Sequence, residues 1–440
     1  MENPSQTGQY GVVIVGGGPA GLFAAVYAAA VYAVGDGAGV LLLERMPGPG
    51  RKLLASGGGQ CNLTHVGSPQ ELLRHYRSSG PREEASRFLR PALYALPPDE
   101  LLAWFGRRGI SFVTEENGKV FPESRRASRL LDALVAEARA LGVETRIRTR
   151  VTSAERGPDG FIIHTEGEEG GPSQSFEARS LVLASGGASY PSTGSSGDGY
   201  ALAAALGHTV VPPRPALAPV FARGCALSAL SGLSFKDAGI ELRRGGKKLF
   251  SRRGELLITH KGLSGPLILD SSGDMAPGDV LLVRFAPLER EEFEDALTDY
   301  AARHPSKPVR GALCELGLTR GMAELFLGLA SGADASSPAG LTGAALRRET
   351  RRSLAECACA YPVTVSALGG MDEAMATAGG VALAQVAPKT MESRLVPSLF
   401  FAGELLDYAG DTGGYNIHAA FATGALAGSC AAKAAGAIGE

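Results

Sequence analysis

The sequence predicts an α/β fold, a parallel sheet covered by helices and interrupted by an insertion with β-rich and helical parts. Three observations predict it. A β-branched run, Val12-Val13-Ile14-Val15, leads through Gly16-Gly17-Gly18 into an uncharged, alanine-rich segment. Short apolar runs of the same buried kind recur at 40–44, 181–184 and, far down the chain, 399–403. Between the last two the pattern changes, after four prolines within residues 212–219, to alternating strands and then to amphipathic helices.

The elements follow in order. The first strand is a central parallel one, apolar on both faces. A helix is expected from Pro19 to about Val34, with Pro at its first turn, where a missing N–H costs nothing. Glycines at 35, 37 and 39 stop it, and residues 40–44 give the next strand, closing a βαβ unit. Residues 45–66 form a basic, glycine-rich loop region. Helices are expected over 69–89, 98–108 and 128–141, with a short strand at 120–121. Strands run from 143–150 on through 161–163, and a buried strand at 181–184 ends in Ser185-Gly186-Gly187. The insertion carries strands near 239–242, 248–250, 255–259 and 280–285, helices over 289–355, and a strand at 363–365. A Gly379-Gly380 turn leads back to the strand at 399–403 and a helix over 416–434. Residues 1–200 and 371–440 are thus expected to form one domain. The insertion is expected as a β-rich part (201–285), a helical subdomain (286–355) and a β return (356–370).

Composition excludes several classes. Hydrophobic residues make up 45% and charged residues 20%, enough apolar material for a large core and too much for intrinsic disorder. The formal net charge of −2 gives no field for a polyanion, so neither nucleic acid nor an anionic membrane is expected as partner; a small-molecule substrate is. Residues 11–35 are uncharged and long enough to span a bilayer, but the glycine turn and Pro19 interrupt them and no basic residue precedes them. They read as strand, turn and buried helix of a soluble, cytoplasmic protein. Six dispersed cysteines without a CxxC pair argue against a metal site and for a reducing compartment. Cys61 reads as a buried thiol.

Gly16-x-Gly18-x-x-Gly21 carries the first chemistry. The motif follows a buried strand, opens a helix, and precedes an acidic residue, Glu44, at the end of the next strand, which is the context a Rossmann-like dinucleotide site requires. Gly16 makes the tight turn, Gly18 lets a pyrophosphate approach, and Gly21 lets helix and strand pack closely. Glu44 can accept hydrogen bonds from a ribose diol and disfavours a 2′-phosphate, so the dinucleotide is FAD or NAD. Near the end of the chain, Asp411-Thr412-Gly413-Gly414-Tyr415-Asn416 opens a second glycine-bearing helix. A second helix N-terminus suits a cofactor with a second end to hold. On FAD it would stabilise the anionic reduced flavin.

Longer motifs make the reading specific. Gly16–Gly21 is followed by Gly50-Arg-Lys-Leu-Leu-Ala-Ser56-Gly-Gly-Gly-Gln-Cys61-Asn62-Leu-Thr64, and by Ala184-Ser-Gly-Gly-Ala-Ser-Tyr190-Pro-Ser-Thr193 through Asp198-Gly-Tyr200. Thr259-His-Lys-Gly-Leu-Ser264-Gly-Pro266, Pro388-Lys-Thr-Met-Glu392-Ser and Ala402-Gly-Glu404 through Asn416 complete the set. In this order the chain resembles the BaiN/YhiN-like flavoproteins over residues 11–430.

The resemblance implies a Rossmann-like FAD-binding α/β domain split by an inserted β-barrel-like domain with a helical subdomain. It also implies NAD(P)H-linked oxidoreductase activity. One branch of that family reduces a C=C bond conjugated to a ketone in bile-acid breakdown, and other members carry an aminoacetone oxidase label. Carried over by position, Gly16, Gly18, Ala20 and Gly21 would touch the pyrophosphate, and Glu44 and Arg45 the adenosine ribose. Val151 would meet the adenine through its backbone. Arg51, Lys52, Ser56, Gly57 and Asn62 would line the inner side of the FAD. Gly403, Asp411, Gly413, Gly414, Asn416 and Ile417 would sit at the ribityl and flavin end. Gln60 stands where the family usually has Arg. Ile417-His418-Ala419-Ala420 replaces a more usual Leu-Gln-Trp-Ala and puts His418 close to the flavin.

Flavin chemistry needs few side chains, because N5 itself carries the hydride. Enone reduction needs a proton donor and a group that polarises the carbonyl; Tyr190, His260, Tyr415 and His418 are the candidates. The leading expectation is therefore an FAD oxidoreductase that takes hydride from NAD(P)H and reduces a small organic substrate. No second dinucleotide motif is present for the donor. The alternatives are an amine oxidase using O2 and a flavin-holding redox sensor without turnover.

Overall fold

The computed structural model of the chain describes residues 8–33, 39–81, 83–166, 173–331 and 340–437. They form two compact units: one from the chain up to Ala216 and from Met371 onward, the other Leu217–Gly370.

The first unit is built on a seven-stranded sheet. Strand β1 (Gly8–Val15) lies between β2 (Val40–Leu43) and Gln174–Leu183, and β2 pairs outward with Glu144–Arg146. Leu399–Phe401 pairs on the far side of Gln174–Leu183, and all these pairings are parallel. The first half of Gln174–Leu183 continues the sheet antiparallel through Gly160–Glu166 and Arg150–Gly157. Val12, Val13, Ile14 and all of β2 are buried, as parallel strands covered on both faces must be. Helix α1 (Pro19–Tyr32) packs against the long last helix (Tyr415–Ala437). α1 is apolar on all sides and buried over Ala20–Val26, Ala28 and Ala29, so that part of the uncharged stretch is core. Among the described residues no helix is long and apolar enough to cross a membrane. The expected end of α1 at Val34 and the glycine stop at 35–38 lie outside the described residues.

Three expectations need correction. The helix over 69–89 is not continuous. It is a short turn of helix (Pro69–Leu72), a tighter turn (Leu73–His75), a two-residue strand (Tyr76–Arg77) and then a helix, Glu84–Ala95. Tyr76–Arg77 pairs antiparallel with Ala409–Gly410, and the fully buried Tyr76 anchors the pairing. Tertiary pairing overrides the local helical pattern here. Gly379-Gly380 is not a turn but part of a strand, Ala376–Val381, opposite Val210–Ala216. The register slips between Val211 and Arg214, where Pro212 and Pro213 have no N–H to give. Because that ribbon and the helix Asp198–Ala205 belong to the first unit, residues 201–216 are not part of the insertion.

In the second unit, one antiparallel sheet runs in the order Tyr361–Thr364, Val280–Arg284, Ser234–Arg244, Lys247–Thr259, Gly262–Ser264, Val220–Phe221, Ala367–Leu368. Its two outermost strands follow each other directly in the chain. The link from Thr364 to Ala367 reaches at most about 10 Å, so the sheet is rolled until its edges nearly meet. That is the barrel-like form the resemblance implies. Helices Arg290–Arg303, Val309–Glu315, Arg320–Ser331 and Arg348–Cys359 share its apolar core.

Candidate cofactor site

The glycine turn after β1 is shaped by close approach. Gly16 has φ +105°, and a Cβ on it would lie 2.6 Å from Ala184 O. A Cβ on Gly21 would lie 1.8 Å from Gly16 O, so only glycine lets α1 start this close to the strand end. Gly18 faces open space, with nothing within 4 Å of where a Cβ would stand. The N-terminus of α1 has no side-chain cap and no acidic residue in its first turn. Its free N–H groups and positive dipole end therefore face that space. Ser185 borders the turn with its Cα, while its buried Oγ points at Gly199. An uncapped helix start and an open glycine fit a phosphate-bearing ligand.

Glu44 sits where the spacing places it, at the end of β2 against the turn. Its Oε2 accepts from Gly17 N and its Oε1 from Met46 N, both at 2.7 Å. Burial pushes its pKa up, against the pull of those two N–H groups. Each oxygen keeps a lone pair for a further donor. Thr149 N donates to Glu44 O and Arg148 N to Met46 O, which brings the 146–151 segment, with buried Val151, alongside. Arg45 and Arg150 both pair with Asp198 at 2.9 Å, and Arg51 is exposed.

The opposite end is assembled from distant segments. Lys52 Nζ donates to Ser189 Oγ (2.7 Å) and Glu404 Oε2 (2.6 Å), while Glu404 Oε1 accepts from Ser189 Oγ (3.0 Å) and Thr377 N (2.8 Å). Ala20 is buried beside Gly403, whose N donates to Thr423 Oγ1. Ser56 Oγ donates to Leu53 O, and Gly57 stands in the left-handed region. With the Asn62 amide turned as its neighbours require, its Nδ2 donates to Thr64 O (3.0 Å) and its Oδ1 accepts from Gly414 N (3.3 Å), joining the early loop to the start of the last helix. Asn416 binds Gly410 through both ends of its amide. Gly413 is buried and Ile417 half-buried there. Asp411 pairs with His75 (3.0 Å) and Arg77 (3.6 Å), so its carboxylate is engaged by side chains of this chain.

The four candidates for proton chemistry stand in different surroundings. His260 lies in an exposed turn of the second unit. Tyr190 is half-buried at φ +54°. Tyr415 is buried under His75, ring centroids 4.3 Å apart. His418 is fully buried and both ring nitrogens are committed: Nε2 donates to Leu96 O (2.8 Å), so Nδ1 accepts from Thr64 Oγ1 (2.6 Å). It is a core residue behind the site, not a group open to a substrate. Burial holds its pKa down at about 4. The unfolded chain therefore takes up a proton first as pH falls. Stability is expected to be intact above about 6.5 and to drop by about 3 kcal/mol as pH falls from 6.5 towards 4. Denaturant unfolding at pH 7 and 5 checks this; in His418→Gln that part of the pH dependence should vanish.

Sequence reasoning missed His75 and Glu404. Glu404 stands inside a quoted motif and could have been selected. His75 had no local signal. Cys61 is fully buried, and burial pushes its thiol up to about 12, which removes it from thiolate chemistry near neutral pH. Among the described residues no group of three or more His, Cys, Asp or Glu side chains could hold a metal ion.

Comparison with known proteins decides the family. The HI0933-like protein Rossmann domain matches residues 10–430. The chain belongs to this family. It is 32% identical to a 3-dehydro-bile acid Δ4,6-reductase of Clostridium scindens, over 96% of this chain and 98% of that protein. It is 29% identical to a ribosomal RNA dihydrouridine synthase of Escherichia coli, over 94% and 96%. Among solved structures, the FrdA chain of E. coli quinol fumarate reductase aligns with TM-score 0.51 and 17% identity, over 99% of this chain and 72% of that one, a likeness of fold. The family is one of FAD-dependent oxidoreductases, and the BaiN/YhiN-like resemblance falls within it.

Proposed function

We propose that this protein reduces a C=C bond conjugated to a carbonyl, with FAD as resident cofactor and NAD(P)H as hydride donor. The full-length similarity to the bile-acid Δ4,6-reductase carries the reading. The dihydrouridine synthases support it at the level of chemistry: the bond that distinguishes uridine from dihydrouridine is also a C=C conjugated to a carbonyl. When bound, FAD supplies the two-electron carrier between donor and substrate.

The residues divide the remaining work. Gly16, Gly18 and the start of α1 receive the pyrophosphate. Glu44 takes the ribose hydroxyls on its spare lone pairs, beside Arg45 and Val151. Lys52, held by Ser189 and Glu404, keeps a fixed cation at the inner side. Asn62, Gly414 and Asn416 hold the start of the last helix, whose positive end favours an electron-rich flavin edge.

A small organic substrate is the first reading, since a net charge of −2 offers no general attraction to RNA. A uridine in ribosomal RNA is the second, favoured by the two synthases. Anaerobic addition of NADH and then NADPH to the purified flavoprotein tests the donor. Bleaching of the flavin band near ~450 nm is expected with one of them. A band unchanged by both would remove the nicotinamide from this reading.

A further inference from the structure

We infer that His75, oriented by Asp411, is the proton donor of the reduction, an inference that rests on the function proposed above. His75 Nδ1 lies 3.0 Å from Asp411 Oδ2, and Asp411 N donates to His75 O at 2.9 Å, so the two residues hold each other at side chain and backbone. Asp411 Oδ1 faces Arg77 at 3.6 Å, so the carboxylate is held from both of its oxygens behind the ring. The imidazole lies nearly parallel to the Tyr415 ring, 4.3 Å away and inclined by 15°, and His65 stacks on Tyr415 from another side at 5.3 Å. These contacts fix the ring plane. Asp411, Arg77, His65 and Tyr415 are the charged or titratable groups placed against it, with Arg74 and Tyr76 next to it in the chain.

What remains is Nε2. No hydrogen bond to it is present among the described residues, and the side chain is 41% exposed. A histidine with a carboxylate on Nδ1 and a free Nε2 is the arrangement that delivers a proton in a fixed direction. Its position is telling. Tyr415 is the first residue of the last helix, directly after Gly413-Gly414, the end assigned to the flavin. Two of the other candidates are closed off: His418 is locked in the core and Tyr415 lies beneath His75. His75 reaches this place only because Tyr76–Arg77 pairs with Ala409–Gly410.

The step balances as follows. The C=C π bond breaks, and the carbon β to the carbonyl gains the hydride supplied by the reduced cofactor, which is thereby oxidised. The α carbon gains a proton from protonated His75 Nε2, and water returns a proton to the neutral ring. Asp411 takes no part in the proton transfer and acts as a positioning residue.

The test uses the FAD-loaded protein, photoreduced without oxygen and mixed with one of two kinds of acceptor. 2-Cyclohexen-1-one and progesterone need a proton on carbon; ferricyanide needs none. His75→Gln should retain wild-type flavin content, slow reoxidation by the enones at least about 100-fold and leave ferricyanide within about twofold. Asp411→Asn should slow the enones by about tenfold, with partial recovery in Asp411→Glu. A readout independent of turnover is the ¹⁵N spectrum of the imidazole. The neutral ring should carry its proton on Nδ1 in the wild type and lose that preference in Asp411→Asn. Equal losses on both kinds of acceptor, loss of flavin, unchanged enone rates, or an Nε2–H ring in the wild type would each overturn the assignment. If the wild type reacts with ferricyanide but with neither enone nor ribosomal RNA, the conjugated C=C reading itself fails, and the assignment falls with it.

Discussion

Gly21→Ala should cost about 3 kcal/mol of stability and leave the purified protein without flavin, although alanine is otherwise the better helix former. The added Cβ would stand 1.8 Å from Gly16 O. The obstacle is backbone on the strand side and the first turn of α1 on the other, so no flexible side chain can yield. Either the helix lifts from the sheet or the glycine turn opens. Both disturb the site where N–H groups of α1 would meet a phosphate. Gly18→Ala is the contrast. Its Cβ meets nothing within 4 Å, so unfolding of the apoprotein should change by less than about 0.5 kcal/mol while flavin occupancy falls, because the methyl group stands where the ligand would. Denaturant unfolding and the flavin-to-protein absorbance ratio read the two effects separately. Equal behaviour of the two variants would contradict the division of roles.

Glu44→Arg should be more damaging still, about 3–5 kcal/mol, with complete loss of FAD. The carboxylate accepts from the N–H groups of Gly17 and Met46 and is buried. Arginine removes both acceptors and sets a buried cation beside Arg45. Glu44→Gln keeps one acceptor oxygen and should fall between, losing part of the flavin. Measured occupancy across Glu, Gln and Arg orders the series. Wild-type flavin content in Glu44→Arg would mean that the ribose is held elsewhere.

What could be read from the sequence was what short spacing controls. Gly16, Gly18, Gly21 and Glu44 lie within one βαβ unit, where strand, turn and helix follow directly from local chemistry. The loop from Gly50 to Thr64 and the Gly413–Asn416 helix start were legible because their residues are contiguous. His75 was not legible. Its place depends on a two-residue strand pairing with residues more than three hundred positions later, inside a stretch whose local pattern is helical. The role of His418 was misread for a related reason. Sequence placed it near the last helix start, but only packing shows that it faces Thr64 and Leu96. The four prolines of 212–219 do enclose the crossing from the first unit to the second, between Ala216 and Leu217, but Pro212 and Pro213 also mark a bulge in the ribbon just before it, which only the pairing shows.

The central claim is that reduced flavin on this chain delivers its electrons to a conjugated C=C bond. The most direct measurement reduces the purified flavoprotein without oxygen, adds a steroid 4-en-3-one, and follows the flavin spectrum and the organic product together. The account predicts return of the oxidised flavin band with one equivalent of product saturated at the C=C bond. A flavin that stays reduced with the enone and with ribosomal RNA, yet is bleached by an amine and reoxidised by O2 with release of peroxide, would contradict it.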